Sequence, residues 1–349
     1  PSDVHVNSKD YKGRKACNYC GPIGQNCDRG ARASSDITYI PEAIKLGAEV
    51  RPNSTVFEIT TGDDGRATGA NYYNADGEQE FQPANAVVVG CNGIGTPRML
   101  LHSTSKSHPE GLLNSSGLVG KNLMFHVYAG ASGFFDDLDA PTYRGPLACI
   151  IMSQEFYETD PSRDFKRGYT FQMGRGQGPA PTATGGVSWG KNHHAEFAER
   201  FGKNLGLGVI GDDLPEEKNR VELDTKLTDR YGIPAPKIIY RVGNNSKRLL
   251  AHGVNSARTV LESAGASRII SSQLSTNAGW HLMGTTRMGE DPTLSVVNQY
   301  GQGHDADNVF IVDGSVFVTG AAVNPTPTIQ ALALRTADYI RHERSDLKS

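Results

Sequence analysis

Two short apolar runs limit what this chain can fold into. "NAVVVGCNG" (85–93) and "NVFIVDGS" (308–315) each set several apolar residues in a row and end at a glycine or an Asp-Gly pair. A strand without polar alternation is buried on both faces, the condition of a parallel strand covered by helices. Helical segments stand where that reading needs them. "GTPRMLLHS" follows the first run, with Pro97 in its first turn, where a missing N–H costs nothing. "TPTIQALALRTADYIRHERS" follows the second. Strand, glycine and helix together bring backbone N–H groups to one sheet edge, a geometry that suits a phosphate or ribose. The same arrangement also serves many α/β proteins simply to turn the chain. An α/β architecture is the expectation.

The rest of the sequence adds a second texture. "SDITYIPEAIKLGA" carries helix start and stop signals, "EVRPNSTVFEITT" alternates as a strand, and "TGANYYNADGEQEFQPANAVVVG" supplies two or three more strands. Between 126 and 280, segments such as "YAGASGFF", "GYTFQMG" and "GGVSWG" predict a mostly antiparallel sheet, and "NNSKRLLAHGVNSARTVLESAGA" predicts a helix. At 349 residues the chain is long enough for two domains. Its net charge of −3 gives no basis for nucleic-acid binding. No run approaches the ~18 apolar residues of a membrane span. The glycine fingerprint G-x-G-x-x-G of a dinucleotide site is missing. The opening "PSDVHVNSKDYKG" has no Met and no obvious first strand, and reads as an internal start. The first part of a Rossmann half is therefore expected upstream of Pro1, on a companion polypeptide.

Single residues admit competing readings. His281, in "GWHLMGTTRMG", is either a hydrogen-bonded core histidine or a catalytic one. Asn324, ahead of two prolines and a helix, is either that helix's cap or a site residue. Cys17, Cys20 and Cys27 form C-x2-C-x6-C. Three thiolates so close could ligate an iron–sulfur cluster or zinc, the alternatives being a Cys17–Cys20 or Cys20–Cys27 disulfide, or thiols. Cys91 and Cys149 read as core residues of apolar strands. His193 and His194, adjacent on an expected strand, would point to opposite faces and read as surface.

Taken in order, "NGIGTPRMLLHS", "GLVGKNLMFH", "HLMGTTRMG" and "DGSVF" with "VNPTPTIQALA" resemble segments of the glucose–methanol–choline (GMC) oxidoreductase family. The resemblance runs from about residue 30 to 345 and is weakest between 130 and 275. It implies a Rossmann-like FAD-binding domain and a substrate domain on a mostly antiparallel sheet. By that resemblance 1–35 is a Cys-containing loop, 36–125 the middle of the FAD-binding domain, 126–280 the substrate domain, and 281–349 the C-terminal part of the FAD-binding domain. His281 and Asn324 occupy the catalytic positions. Val56, Gly90, Cys91 and Gly95 line the adenosine end of FAD, Asp313 and Gly314 its ribityl-pyrophosphate region, and Asn324 with Thr326 its pyrimidine edge. The wording "NPTPTIQALALRTADYI" looks most like bacterial sugar dehydrogenases and pyranose oxidases. The implied reaction is oxidation of a sugar, glycoside or polyol hydroxyl, with an electron-accepting partner. A non-redox lyase or a non-catalytic flavoprotein subunit on the same fold are the alternatives. The residue types fit the oxidation. A neutral imidazole, with an ordinary pKa near ~6.5, can take a hydroxyl proton, and an Asn amide can hold the same oxygen without competing for it.

Overall fold

The computed structural model describes residues 6–20, 27–138, 143, 151–176, 178–276 and 279–347. The expectation for Cys149 lies outside them. In chain order the elements are α1 (Tyr39–Lys45), β1 (Thr55–Thr61), β2 (Ala67–Tyr73), β3 (Gln79–Pro83), β4 (Val87–Val89), α2 (Asn92–His102) and β5 (Val127–Phe134). Next come β6 (Met152–Ser153), β7 (Tyr169–Gly174), α3 (Pro179–Pro181), α4 (His193–Arg200), β8 (Asn204–Gly211), β9 (Arg220–Thr228) and β10 (Pro234–Ile239). α5 (Asn244–Ser263), β11 (Arg268–Ser272), β12 (Val309–Ile311) and α6 (Thr326–Glu343) complete the series. No helix among the described residues is long and apolar enough to cross a membrane.

The chain divides into two compact units. The first comprises residues 1–50, 127–211 and 247–276. It is built on an antiparallel sheet with strand order β11-β5-β8-β7-β6. Burial alternates residue by residue along β5, the pattern of a strand with one covered face. In α5, Leu249, Leu250, Val254, Ala257 and Leu261 are buried at helical spacing, which gives the helix one apolar face. The expected strand at "GGVSWG" does not form: residues 182–186 make a turn of π-helix. His193 and His194 open α4 rather than sit on a strand, with the His193 ring stacked on Trp189. Local Gly, Ser and aromatic content signalled a strand there, but the helix has a Glu196–Arg200 ion pair across one turn at 3.3 Å.

The second unit comprises residues 51–126, 212–246 and 277–349. It holds the antiparallel sheet β1-β2-β3, the hairpin β9–β10 and the parallel pair β4–β12. Val89, Leu100, Leu112, Leu113, Val309 and Ile311 form its core with Ile59 from β1. The two apolar runs pair with each other in parallel, Val87 opposite Val309 and Val89 opposite Ile311. β12 is buried throughout. β4 is not, because Val88 is 52% exposed beside a Val89 that is 5% exposed.

α2 starts earlier than the sequence suggests. It begins at Asn92, so Pro97 falls inside the helix instead of in its first turn. The bond that Pro97 cannot make would have gone to the Gly93 carbonyl, four residues back. That carbonyl accepts the Thr285 hydroxyl instead, at 2.9 Å. The helix tolerates its proline because a side chain from the 281–289 segment replaces the missing donor.

Candidate active site

The segment 281–288 is fixed by backbone pairing on two sides. Met283 exchanges both backbone hydrogen bonds with Met124, at 2.9 and 3.1 Å, and the Gly120 N–H donates to Thr285 O at 2.8 Å. On the other side Thr286 and Met288 donate to Ser315 and Val316, each at 2.9 Å. The Leu282 backbone runs between two glycines. A Cβ on Gly93 would stand 2.7 Å from the Leu282 carbonyl carbon, and one on Gly314 would stand 2.7 Å from its oxygen. Neither position admits a side chain without moving Leu282.

This pairing decides what His281 meets. With Met124 opposite Met283 in an antiparallel bridge, residue 126 falls opposite residue 281, and side chains two positions apart share a face. Residue 126 is His126, which is 4% exposed. The two Nδ1 atoms are 2.7 Å apart, and the rings meet edge to face with centroids at 4.7 Å. His126 Nε2 lies 3.0 Å from the Gly320 carbonyl oxygen. Burial depresses the pKa of both imidazoles. It is the first cause for His281, whose pKa falls to about 4 with the charge of His126 as the second. For His126 burial also leads, opposed by the carbonyls of Gly320 and Ala321. Both rings are therefore neutral at pH 7.

The backbone is strained on each side of this pair. His281 has φ +62° and Ala321 φ +55°, in the left-handed region that costs a non-glycine residue about 1–3 kcal/mol. Asn324 stands in the stretch that follows Gly320 and Ala321, exposed, ahead of α6. It is not the helix cap: Pro325 holds that position and no side chain caps the helix.

A second cluster lies at the head of α2. Cys91, the residue before the helix, donates its N–H to the Thr96 hydroxyl at 3.1 Å. Thr96 in turn donates to Asp313 Oδ2 at 2.5 Å, while Asp313 Oδ1 accepts the Ser315 N–H at 2.8 Å. The Asp313 side chain thus ties the end of β12 to the start of α2.

Comparison with known proteins places the whole arrangement. Two family models, both described as GMC oxidoreductase, match residues 3–128 and 215–333. The chain belongs to the GMC oxidoreductase family. It is 40% identical to 2-methyl-1,2-propanediol dehydrogenase of Mycolicibacterium austroafricanum over 99% of this chain and 64% of that protein. It is 30% identical to the fructose dehydrogenase large subunit of Gluconobacter japonicus over 97% of this chain and 62% of that one. The chain thus spans about three fifths of the length of these relatives. Among solved structures, pyridoxine 4-oxidase from Mesorbium loti shares the fold with a TM-score of 0.61 at 16% identity, over 91% of this chain and 63% of that chain.

Gly90, Cys91 and Gly95 do gather at the head of α2, but Cys91 is exposed rather than a core residue, because it sits past the strand end. The N–H groups of Ile94 and Gly95 are taken by the Asn92 side chain at 2.9 and 3.3 Å, so they are not open to a phosphate. Val56 lies near the start of β1, 41% exposed, and Thr326 is the exposed first residue of α6. The Asp313 carboxylate points into protein, so only backbone remains for a ligand there. The N–H groups of Asp313 and Gly314 have no acceptor among the described residues. Two consecutive free N–H groups at a parallel strand's end are donor chemistry that fits a phosphate or ribityl oxygen of FAD.

Of the alternatives open for Cys17, Cys20 and Cys27, the structure has all three as thiols outside any disulfide. Among the described residues no group of three or more His, Cys, Asp or Glu side chains is placed to hold a metal ion. Cys17 Sγ accepts the Tyr19 N–H at 3.5 Å and Cys27 Sγ accepts the Arg32 N–H at 3.4 Å. Both sulfurs thus accept a nearby backbone N–H, and the bond from Arg32 lowers the Cys27 pKa.

His126 was absent from the sequence reading. Its signal was there: "MFH" and "HLM" set a methionine and a histidine two positions apart in opposite order, and an antiparallel bridge between the two methionines brings the histidines opposite each other.

Proposed function

We propose that this chain carries the proton-transfer machinery of an FAD-dependent oxidoreductase that converts a hydroxyl of a sugar, glycoside or polyol to a carbonyl. The observation that carries the reading is a half-buried, neutral His281 backed by a buried second histidine. Such a ring has a proton-accepting nitrogen at pH 7 and is held in place to use it. His281 takes the hydroxyl proton. The Asn324 amide donates a hydrogen bond to the same oxygen and orients the carbinol C–H. FAD, when bound, supplies the acceptor for the hydride leaving that carbon. Backbone N–H groups of Asp313 and Gly314 would hold its phosphate or ribityl oxygens, with Val56, Gly90, Cys91 and Gly95 toward the adenosine and Asn324 with Thr326 toward the pyrimidine edge.

The names of the relatives support the substrate class, since one oxidises a vicinal diol and another a ketohexose. The fingerprint that cradles a dinucleotide pyrophosphate is not in this chain, and we infer that a companion stretch of polypeptide supplies it. The two-strand parallel sheet with Val88 half exposed supports that inference. The test is anaerobic mixing of the complete holoprotein with a 1,2-diol, a ketohexose and an aldohexose. Bleaching of the flavin bands by one of them is the expected result, and a flavin that stays oxidised with a substrate that turns over would point to lyase chemistry.

A further inference from the structure

We propose that His126 is a positioning residue that locks His281 in its Nδ1–H tautomer, so that Nε2 is the proton-accepting atom. The inference rests on the reading of His281 as the base and specifies which nitrogen acts and what holds it there. It follows from counting donors along one chain of contacts. The Gly320 carbonyl can only accept, so His126 Nε2, 3.0 Å away, carries a proton. A neutral imidazole has one N–H, which leaves His126 Nδ1 with a lone pair. His281 Nδ1, 2.7 Å from that lone pair, must be the donor. The proton of neutral His281 is then on Nδ1, and its Nε2 is bare.

Neutrality of both rings is what makes the count unique. A protonated His126 would donate from both nitrogens and reverse the middle bond. Its burial opposes that state. The rings meet edge to face, and the Asp212 carboxylate stands across Gly320, where an added Cβ would lie 3.4 Å from Asp212 Oδ1 and 3.5 Å from His126 Nε2.

The lock matters because an unrestrained neutral histidine favours the Nε2–H tautomer, in which Nε2 has no lone pair to accept a proton. Pairing through Nδ1 inverts that preference and stops the ring from turning over. A carboxylate partner would do the same and would also raise the pKa of the base by its charge. An uncharged imidazole orients the base without that attraction. His281 therefore stays unprotonated far below neutral pH.

Two variants separate orientation from mere packing. His126→Gln can keep both bonds, its carbonyl accepting from His281 and its amide donating to Gly320. His126→Leu keeps bulk and loses both. The measurement is the long-range proton–nitrogen spectrum of the complete holoprotein labelled with nitrogen-15 histidine, beside rapid-mixing flavin reduction. In the wild type and the Gln variant, His281 should show a protonated Nδ1 and an unprotonated Nε2. In the Leu variant it should shift toward Nε2–H, with flavin reduction slowed ~10–100-fold, the size of effect seen when a metal-bound histidine loses its orienting partner. A wild-type His281 carrying its proton on Nε2 overturns the proposal, and that spectrum needs no variant to fold. A Leu variant with an unchanged tautomer and rate overturns it too. Loss of the base reading is distinguishable, because His281→Ala would then reduce flavin normally while the wild-type tautomer stayed as described.

Discussion

The Thr285 hydroxyl donates to the Gly93 carbonyl, the acceptor that Pro97 leaves without its helical donor. The bond joins α2 to the segment that carries His281, and its loss has a calculable cost. Thr285→Val would leave a buried carbonyl unsatisfied, about 1–3 kcal/mol. Thr285→Ser should recover most of it. Urea unfolding of the complete holoprotein checks this, and a Val variant as stable as wild type would show that the bond does not support the helix.

His281→Ala should slow flavin reduction about 10²–10⁴-fold, the usual contribution of a general base, and leave the flavin bound. Rapid-mixing kinetics with saturating substrate measure it. An unchanged rate would move the base elsewhere.

The pH profile distinguishes this histidine from an ordinary one. An unperturbed imidazole would lose activity as pH falls through ~6.5. His281, depressed to about 4 chiefly by burial, keeps its neutral, proton-accepting form throughout that range. The rate of flavin reduction should be flat from neutral pH into the mildly acidic range. It should fall only as pH drops toward 4, where the imidazolium forms. A midpoint near the ordinary histidine value would contradict the burial seen here.

Asn324→Ala should cost less than the loss of His281, because water can replace one neutral donor. A single hydrogen bond of this kind is worth about 0.5–1.5 kcal/mol. A fall of roughly 2–10-fold in the reduction rate with flavin content intact is the expected outcome. A loss as large as that of His281→Ala would mean that Asn324 does more than orient.

Gly93→Ala would set a methyl 2.7 Å from the Leu282 carbonyl carbon. The chain must give way there, and overpacking of this kind costs roughly 1–3 kcal/mol. Since His281 immediately precedes Leu282, the variant should lose both thermal stability and reduction rate. A variant with a lowered melting temperature and an unchanged rate would show that Leu282 can shift without carrying His281 with it.

What the sequence made legible followed from local rules. The runs at 87–89 and 309–311 read as parallel strands because they lack alternation, and α5 and α6 read as helices from their spacing. His281 stood out through its motif. The misses share a cause. The Gly93 carbonyl that Pro97 leaves open is satisfied by a hydroxyl 192 positions away in sequence, and His126 matters through a ring 155 positions away. Local pattern carries no information about such partners until strand pairing is known. Cys91 misled because an apolar run ending in Gly-Cys looks buried throughout, whereas the chain turns outward at the strand's end.

The half-exposed β4 bears on how the molecule behaves at the bench. Its only strand partner among the described residues is β12, so its other edge offers open peptide groups beside the outward Val88. Edges of that kind recruit whatever strand is at hand, including another copy of themselves. Produced by itself, the chain is expected to form mixed-size aggregates that light scattering would register. If the further stretch proposed above pairs with β4, adding it would return a single uniform species, and light scattering would register that pairing before any turnover is measured.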